Sequence, residues 1–350
     1  MGTARDRGPL ENNHMTDTVR FAMISFAHGH AEGYAACLEA IPGTELVVIT
    51  DTDHERGRDA AERHGAAFEP DLDTVLARDD IDAVIICSEN VHHKAQTIAA
   101  AEAGKHVLCE KPLATTVADA QAMIDACDAH GVKLQTAFPV RFNAATVALR
   151  EAVRAGQIGT PLAVNARNPG TCPQSWFVRP ELSGGGAVID HTVHVVDVLR
   201  WIFDAEVTEV FAEIDTRIHD IDTDDTGLLM LRLSNGIPVS LDTSWSRPAN
   251  WPTWGGVMID IIGEDGVLSL DAYRDVVEVA EIRGPSLTWH PSEISGDPEM
   301  VRAFVDAVRD DTPPPVTGLD GLRAVEVALG AYESSRRGEP VALPVAVPAN

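Results

Sequence analysis

The tripeptide Glu110-Lys111-Pro112 directly follows an apolar run at residues 106–109. A lysine at the point where a buried strand opens into a loop loses part of its hydration. Its ammonium can then act as an acid, or stabilise negative charge beside a site of hydride transfer. A Lys-Pro pair alone indicates only a turn, so this interpretation of Lys111 depends on the residues that accompany it.

Asp190 and His194 stand four residues apart in a segment with helical periodicity. On a helix this spacing places both side chains on one face, with Cβ atoms about 5–6 Å apart. Oxidation of an alcohol needs a base for the hydroxyl proton and a cation for the developing alkoxide. A histidine ordinarily titrates near neutrality, so His194 is predicted to transfer the proton. Lys111 would polarise the oxygen, and Asp190 would orient the lysine or the substrate, although a surface contact within the helix is the alternative for this pair.

Three neighbouring features bear on that helix. The triple glycine at 184–186 can bring backbone close to a ligand. Asp197 lies one short turn beyond His194 and could anchor its imidazole, although a helix salt bridge fits Asp197 equally well. His191 is expected to point away from Asp190, which favours packing over a contact with substrate.

Aromatic faces and cationic forks suit sugar rings and their hydroxyl or carboxyl groups. Arg141 follows a strand-like run, and Trp176 and Arg179 lie in a loop rich in glycine and proline at 168–186. These three residues, together with His191, are therefore the candidate substrate contacts.

The first half of the chain alternates short apolar runs with segments of helical periodicity. Such alternation is typical of a parallel sheet covered by helices on both faces, so a doubly wound α/β domain is predicted. The strand-like runs are 21–25, 46–50, 83–87, 107–109 and 132–136, and the helical segments are 30–40, 53–64, 93–103 and 116–130.

Beyond residue 141 the pattern changes. Helical segments at 144–155 and 188–202 precede strand-like runs separated by turn signals such as Asn235-Gly236, which predicts an antiparallel sheet. These runs are 207–214, 227–233, 238–244, 257–262 and 276–282, and two late helical segments, 298–309 and 319–336, could pack on either domain. The predicted division is a disordered extension at 1–18, a first domain at 19–140 and a second at 141–350.

The turn Ser25-Phe26-Ala27-His28-Gly29-His30 joins the first strand-like run to the first helical segment. In a dinucleotide-binding fold this turn reads G-x-G-x-x-G, so that backbone can approach the pyrophosphate. Here small residues hold the first two glycine positions and His30 holds the third, so a structural turn without cofactor is the alternative. Phe26, Ala27, His28 and His30 are interpreted as cofactor contacts, with the imidazoles donating to the pyrophosphate. His28 and His30 could also form half of a metal site, because imidazole is a common ligand, but no metal is predicted.

Asp51 ends the second strand-like run, about 20 residues after the turn. An acidic side chain at this position accepts hydrogen bonds from the ribose hydroxyls, which favours NAD over NADP. A helix N-cap or an ordinary turn residue is the alternative interpretation of Asp51.

Three segments closely resemble the NAD(P)-dependent glucose-fructose oxidoreductase and inositol dehydrogenase family, Gfo/Idh/MocA. They read DAVIICSENVHH at 82–93, AGKHVLCEKPL at 103–113 and LSGGGAVIDHTVHVVD at 182–197, and the segment 318–344 also looks like the C-terminal helix and tail of the family. The resemblance implies a Rossmann domain followed by an α/β domain whose open, mostly antiparallel sheet often forms the subunit interface. A homodimer or homotetramer is therefore expected.

The resemblance also implies roles for individual residues. It matches Lys111 to the active-site lysine and the pair Asp190 and His194 to the Asp-x-x-x-His motif of the family. Cofactor contacts are implied after the fourth strand and beside the nicotinamide, at Ser88, Asn90, His93 and Glu110. The glycine-poor turn, and Glu89 in place of the usual proline, are departures that concern the geometry of cofactor binding.

Composition limits the partners of this chain. Its 350 residues carry a formal net charge of −27, which repels phosphate backbones and anionic membranes, so neither nucleic acid nor a membrane is expected. The five cysteines include no CxxC pair and are interpreted as reduced core residues, and no apolar stretch approaches the roughly 18 residues of a membrane span. A cytoplasmic protein with a small-molecule substrate is expected.

These observations predict an NAD-dependent oxidoreductase that oxidises a secondary hydroxyl of a sugar, polyol or sugar derivative by hydride transfer to nicotinamide. Two alternatives stay open. One keeps the fold but uses NAD transiently, oxidising a glycoside so that the linkage can be eliminated and the sugar then reduced. The other is a dinucleotide-sensing binding or regulatory protein without catalysis, which the glycine-poor turn favours.

Overall fold

The computed structural model describes residues 18–251, 255–272, 276–281, 287–291 and 296–344. The predicted disordered extension lies outside these residues, apart from Thr18. Two sheets organise the described chain, one in each half, and the α/β fold class predicted from the sequence is confirmed.

Six parallel strands form the first sheet, in the spatial order 3-2-1-4-5-6 expected of a dinucleotide-binding fold. The chain order reverses between the first and fourth strands, and ligands of open α/β sheets bind at such a point, beyond the carboxyl ends of the strands. The strands are β1 (Val19–Ile24), β2 (Thr44–Thr50), β3 (Ala67–Phe68), β4 (Ala83–Ile86), β5 (His106–Cys109) and β6 (Leu134–Thr136).

Helices cover both faces of this sheet, which is why strands such as β4 are buried at every position. Thr116 begins the last of these helices, since its hydroxyl accepts a hydrogen bond from the Asp119 N–H at 3.0 Å. The helices of this half are α1 (His30–Ala40), α2 (His54–Arg63), α3 (Leu72–Leu76), α4 (His93–Glu102) and α5 (Val117–His130).

The second sheet is mixed and mostly antiparallel, with nine strands in the order 14-13-12-11-7-10-9-8-15 and one parallel pair, 7 with 10. Its strand β9 (Thr226–Leu233) alternates buried and exposed residues, so one face packs in the core while the other carries exposed apolar side chains such as Leu228 and Met230. The strands are β7 (Pro161–Arg167), β8 (Val207–Asp215), β9 (Thr226–Leu233), β10 (Pro238–Asp242), β11 (Met258–Gly263), β12 (Gly266–Asp271), β13 (Val276–Glu281), β14 (Leu287–Pro291) and β15 (Val341–Ala342).

The helices of the second half tie the two sheets together. They are α6 (Ala144–Arg154), α7 (Pro180–Ser183), α8 (Ala187–Phe203), α9 (Gly296–Arg309) and α10 (Gly318–Arg337). The Phe304 ring of α9 packs in the core of the first domain, 6.3 Å from Phe21, whereas α10 contacts α8, β8 and α5. Within the described ranges, no helix combines the length and apolar character needed to cross a bilayer.

Candidate active site

Lys111 and Asp190 meet where the two domains face each other. Lys111 follows β5 at the carboxyl edge of the parallel sheet, and Asp190 lies in the first turn of α8. The Lys111 Nζ lies 2.5 Å from Asp190 Oδ1, with 0% and 6% of the two side chains exposed. Two side chains approach the other carboxylate oxygen: the Trp245 Nε1–H donates to Oδ2 at 3.3 Å, and the Nε2 of His191 lies 3.3 Å from it. The structure therefore joins two of the three predicted catalytic residues.

The prediction that His191 points away from Asp190 is wrong. A neighbouring residue on a helix ordinarily diverges from the one before it, but the His191 ring turns back and contacts the carboxylate. It also packs edge-on against Trp245, with ring centroids 6.4 Å apart. Trp245 was not predicted, because it lies 55 residues from Asp190 and no local motif marks it.

Burial and charge set the protonation states of this group. Burial raises the pKa of Asp190, but the Lys111 ammonium and then His191 lower it more, so the pKa lies well below its usual range. Burial, followed by the charge of Lys111, lowers the pKa of His194 well below 6.5. His194 is therefore neutral at neutral pH, which corrects the expectation that it titrates there. Its buried Nδ1 has no hydrogen-bond partner within the described part of the chain.

The triple glycine lets α8 dock closely on the loop before β9. Asp224 accepts hydrogen bonds from the Gly186 N–H at 2.9 Å and the Val188 N–H at 2.7 Å, and the Tyr332 hydroxyl donates to the same carboxylate at 2.8 Å. A Cβ on Gly186 would stand 1.9 Å from the Asp224 carbonyl oxygen. This packing holds the start of α8, and with it Asp190, and the approach of the backbone to a ligand stays a prediction.

The turn after β1 has no glycine at the three positions of the G-x-G-x-x-G pattern. Ser25, in the first glycine position, adopts φ +69°, the left-handed region that glycine usually supplies. Asp51 lies buried at the end of β2, and its Oδ2 accepts the Phe26 N–H at 2.8 Å. The Arg56 guanidinium contacts both oxygens of Asp51, at 2.6 and 2.8 Å. A carboxylate fixed beside this turn fits the ribose end of NAD.

A second polar cluster lies at the start of α1. The Glu110 Oε1 accepts the Tyr34 hydroxyl at 2.6 Å and lies 2.9 Å from His30 Nδ1 and 3.8 Å from His28 Nδ1. Glu110 and His28 are almost fully buried. Sequence reasoning assigned these residues to the cofactor separately, and it missed Tyr34, which is one turn from His30 on the same helix.

The other residues assigned to the cofactor bind backbone in this structure. The Asn90 amide donates to the Ser183 carbonyl of the second domain at 2.8 Å. The two ring nitrogens of His93 lie 3.0 Å from the Pro112 carbonyl and 3.2 Å from the Ser88 carbonyl. The Asn90 contact joins the loop after β4 to the second domain, and the His93 contacts join the loops that follow β4 and β5. Roles of Asn90, Ser88 and His93 toward the cofactor stay predictions.

A cavity of about 790 Å³ opens beside the turn, between His28, His30 and the loop that carries Trp176. The Trp176 Nε1–H donates to the Ala27 carbonyl at 3.0 Å, and its ring stacks on Phe177 with centroids 3.8 Å apart. An aromatic wall of this kind suits a sugar ring. Arg179, in contrast, is exposed and paired with Glu181 at 2.8 Å.

Arg141 is not among the residues that line this cavity. Its guanidinium forms a two-point ion pair with Asp197 and donates to the Pro315 carbonyl at 3.1 Å, while Trp201 lies beside it. The Asp320 carboxylate also lies 3.3 Å from the Arg141 guanidinium. The contact of Arg141 with substrate and the anchoring of His194 by Asp197 stay predictions.

Comparison with known proteins extends these observations. Residues 19–138 match a family model described as an oxidoreductase family with an NAD-binding Rossmann fold, and residues 146–269 match the GFO/IDH/MocA C-terminal domain. A 1,5-anhydro-D-fructose reductase of Ensifer adhaerens is 38% identical over 309 residues, which cover 85% of this chain and 90% of the relative. The chain belongs to the GFO/IDH/MocA family.

Other members of the family match over most of their length. A myo-inositol 2-dehydrogenase of Thermotoga maritima is 31% identical over 328 residues, covering 90% of this chain and 94% of the relative. GenD2 from gentamicin A biosynthesis, solved in complex with NAD, superposes with a TM-score of 0.84 at 26% identity, covering 98% of this chain and 100% of GenD2. As a GFO/IDH/MocA protein, this chain is an oxidoreductase of CH–OH donors with an NAD-binding Rossmann domain.

Proposed function

We propose that this chain is an NAD-dependent dehydrogenase that oxidises one secondary hydroxyl of a sugar, polyol or sugar derivative. Lys111, Asp190 and His194 carry the reaction, and Asp51 selects NAD over NADP. The observation that carries this proposal is the contact between Lys111 and Asp190 across the two domains, beside the edge of the sheet where NAD binds.

The chemistry requires one proton and one hydride to leave the same carbinol. The Lys111 ammonium donates a hydrogen bond to the substrate oxygen and stabilises negative charge as it develops there. The neutral imidazole of His194 accepts the hydroxyl proton. NAD, when bound, supplies the acceptor for the hydride from the carbon.

Asp190 holds the lysine in position for this role. Its carboxylate stays ionised because Lys111 and His191 lower its pKa. Since Trp245 and His191 contact Oδ2, Oδ1 is directed at Lys111. The aromatic wall formed by Trp176 and Phe177 offers a face for the ring of the substrate.

A panel of sugars and polyols, assayed for NAD reduction, tests the proposal. We expect at least one member to give NADH, and Lys111→Met to lower kcat/KM by about 10²–10³-fold or more while NAD still binds. Lys94→Met is the matched control, since Lys94 is an exposed lysine paired with Asp119, and it should leave turnover unchanged. No NADH from any member, or full activity in Lys111→Met, would contradict the proposal.

A further inference from the structure

Two imidazoles and one carboxylate converge at the start of α1. The Oε1 of Glu110 lies 2.9 Å from His30 Nδ1 and 3.8 Å from His28 Nδ1, and one ligand atom from each residue lies within 4.8 Å of the others. With metal–ligand bonds of about 2.1 Å at a tetrahedral angle, two ligand atoms stand about 3.4 Å apart. The two observed separations bracket that value, so small side-chain shifts would bring the three atoms around one ion.

The chemical state of the cluster also suits a cation. The Nδ1 of His28 accepts the His30 N–H at 3.2 Å, so it carries a lone pair and the ring proton lies on Nε2. That Nε2 is buried without a hydrogen-bond partner within the described ranges.

Outer hydrogen bonds already orient the carboxylate. The Tyr34 hydroxyl donates to Glu110 Oε1 at 2.6 Å, and the Lys111 N–H donates to Oε2 at 2.8 Å. Such bonds to ligating carboxylates fix their direction and tune the affinity of metal sites. Asp297 adds negative charge beside His30 and Glu110, whereas the ammonium of Lys111 is paired with Asp190.

We propose that His28, His30 and Glu110 bind a divalent transition-metal ion, and that zinc matches this set of two imidazoles and one carboxylate. Both histidines line the 790 Å³ cavity, so a further coordination position is open to water or to an oxygen of a bound molecule. His28, His30 and Glu110 are also residues predicted to contact the cofactor, so a bound ion would lie against the dinucleotide. The proposed dehydrogenase reaction assigns no metal, and the test of the site needs neither NAD nor substrate.

Calorimetric titration of the full chain with ZnCl₂, after treatment with a chelator, tests the site directly. We expect one zinc ion per chain. Protons and zinc compete for imidazole nitrogens and carboxylate oxygens, so the affinity for zinc should fall as the pH is lowered. A stoichiometry well below one ion per chain would overturn the proposal.

Variants locate the ion. His28→Asn and Glu110→Gln should each weaken zinc binding at least about tenfold. His64→Asn is the matched control, because His64 also contacts two carboxylates, those of Glu32 and Glu39, but at the surface. Equal weakening in all three variants, or in none, would overturn the assignment.

Cobalt provides a second measurement on the unaltered protein, which decides the matter if a variant fails to fold. Co²⁺ added to the metal-free chain should give the visible absorption of an ion held by nitrogen and oxygen ligands at low coordination number. A spectrum identical to that of cobalt in buffer would overturn the proposal, whatever the outcome of the dehydrogenase assays.

Discussion

The ammonium nitrogen of Lys111 lies 2.5 Å from Oδ1 of Asp190, and the two residues come from different domains. Neither side chain reaches bulk water to any extent. Breaking a buried ion pair by removing one partner costs about 3–5 kcal/mol, because the other charge is left uncompensated. This contact should therefore couple the two domains, because removing either partner alone leaves a buried charge unpaired.

A double-mutant cycle in urea measures this coupling. Lys111→Met should lower the free energy of unfolding by about 3–5 kcal/mol. The double variant Lys111→Met/Asp190→Asn should lose much less unfolding free energy than the sum of the losses in the two single variants, since no charge is then stranded. Additive losses would show that the two groups do not interact in solution.

The pH dependence of turnover should lack an inflection from His194 near pH 6.5. Burial and the charge of Lys111 hold the pKa of His194 well below that value, so its imidazole is already neutral and able to accept a proton there. A base with a depressed pKa loses activity only when the pH falls through that lower value.

The measurement is kcat/KM against pH for the wild type and for His194→Asn, at saturating NAD. The variant should be slower at every pH, with a profile of the same shape between about pH 6 and 8. An acid-side inflection near 6.5 that is present in the wild type and lost in His194→Asn would contradict the prediction.

Arg56 should affect the choice between NAD and NADP. Its guanidinium binds both oxygens of Asp51, at the position where the ribose is expected. A cationic fork there could accommodate a 2′-phosphate that Asp51 alone would repel. Arg56→Ala should therefore lower any activity with NADP by about tenfold or more, while activity with NAD changes little. Arg58→Ala, on the same helix, serves as control, and equal losses with both cofactors in Arg56→Ala would refute the assignment.

Local patterns predicted much of the fold. The helical segment 30–40 is α1, and the segments 93–103 and 116–130 differ from α4 and α5 by one residue at one end. The segment 53–64 extends one residue beyond α2 at each end. Strand β7 was missed, although it lies in the middle of the second sheet. Its pattern is weak, because Val164 and Ala166 alone are buried while Leu162 is half exposed.

The residues of the candidate site also divide into those that a local motif marks and those that none marks. Lys111, Asp190 and His194 could be proposed from the sequence because each lies in a segment that resembles a known family. Trp245 and Tyr332 were missed, since they reach the start of α8 from more than 50 residues away and carry no motif. The grouping of Glu110 with His28 and His30 also depends on β1 and β5, which come to lie on either side of β4 only in the folded sheet.

Arg141 should stabilise the fold. Burial raises the pKa of Asp197 to about 6 even with Arg141 beside it. Arg141→Ala would strand a buried carboxylate and should cost about 3–5 kcal/mol of unfolding free energy near pH 8. In the variant the pKa of Asp197 rises further, so the folded state binds a proton more readily and the loss should shrink as the pH falls toward 6. A higher KM with unchanged stability would instead support the original assignment of Arg141 to substrate.

Two glycines offer a matched pair of substitutions that tests the docking of α8. In Gly186→Ala, the new Cβ would stand 1.9 Å from the Asp224 carbonyl oxygen, so backbone must shift and stability should fall by about 1–3 kcal/mol or more. In Gly33→Ala, no atom lies within 4 Å of the new Cβ, and the exposed helical position should gain about 0.5–1 kcal/mol. Urea unfolding measures both. Because the shift moves the start of α8, Gly186→Ala should also lower kcat with little change in the KM for NAD. Equal stabilities of the two variants would show that the contact with Asp224 does not constrain this helix.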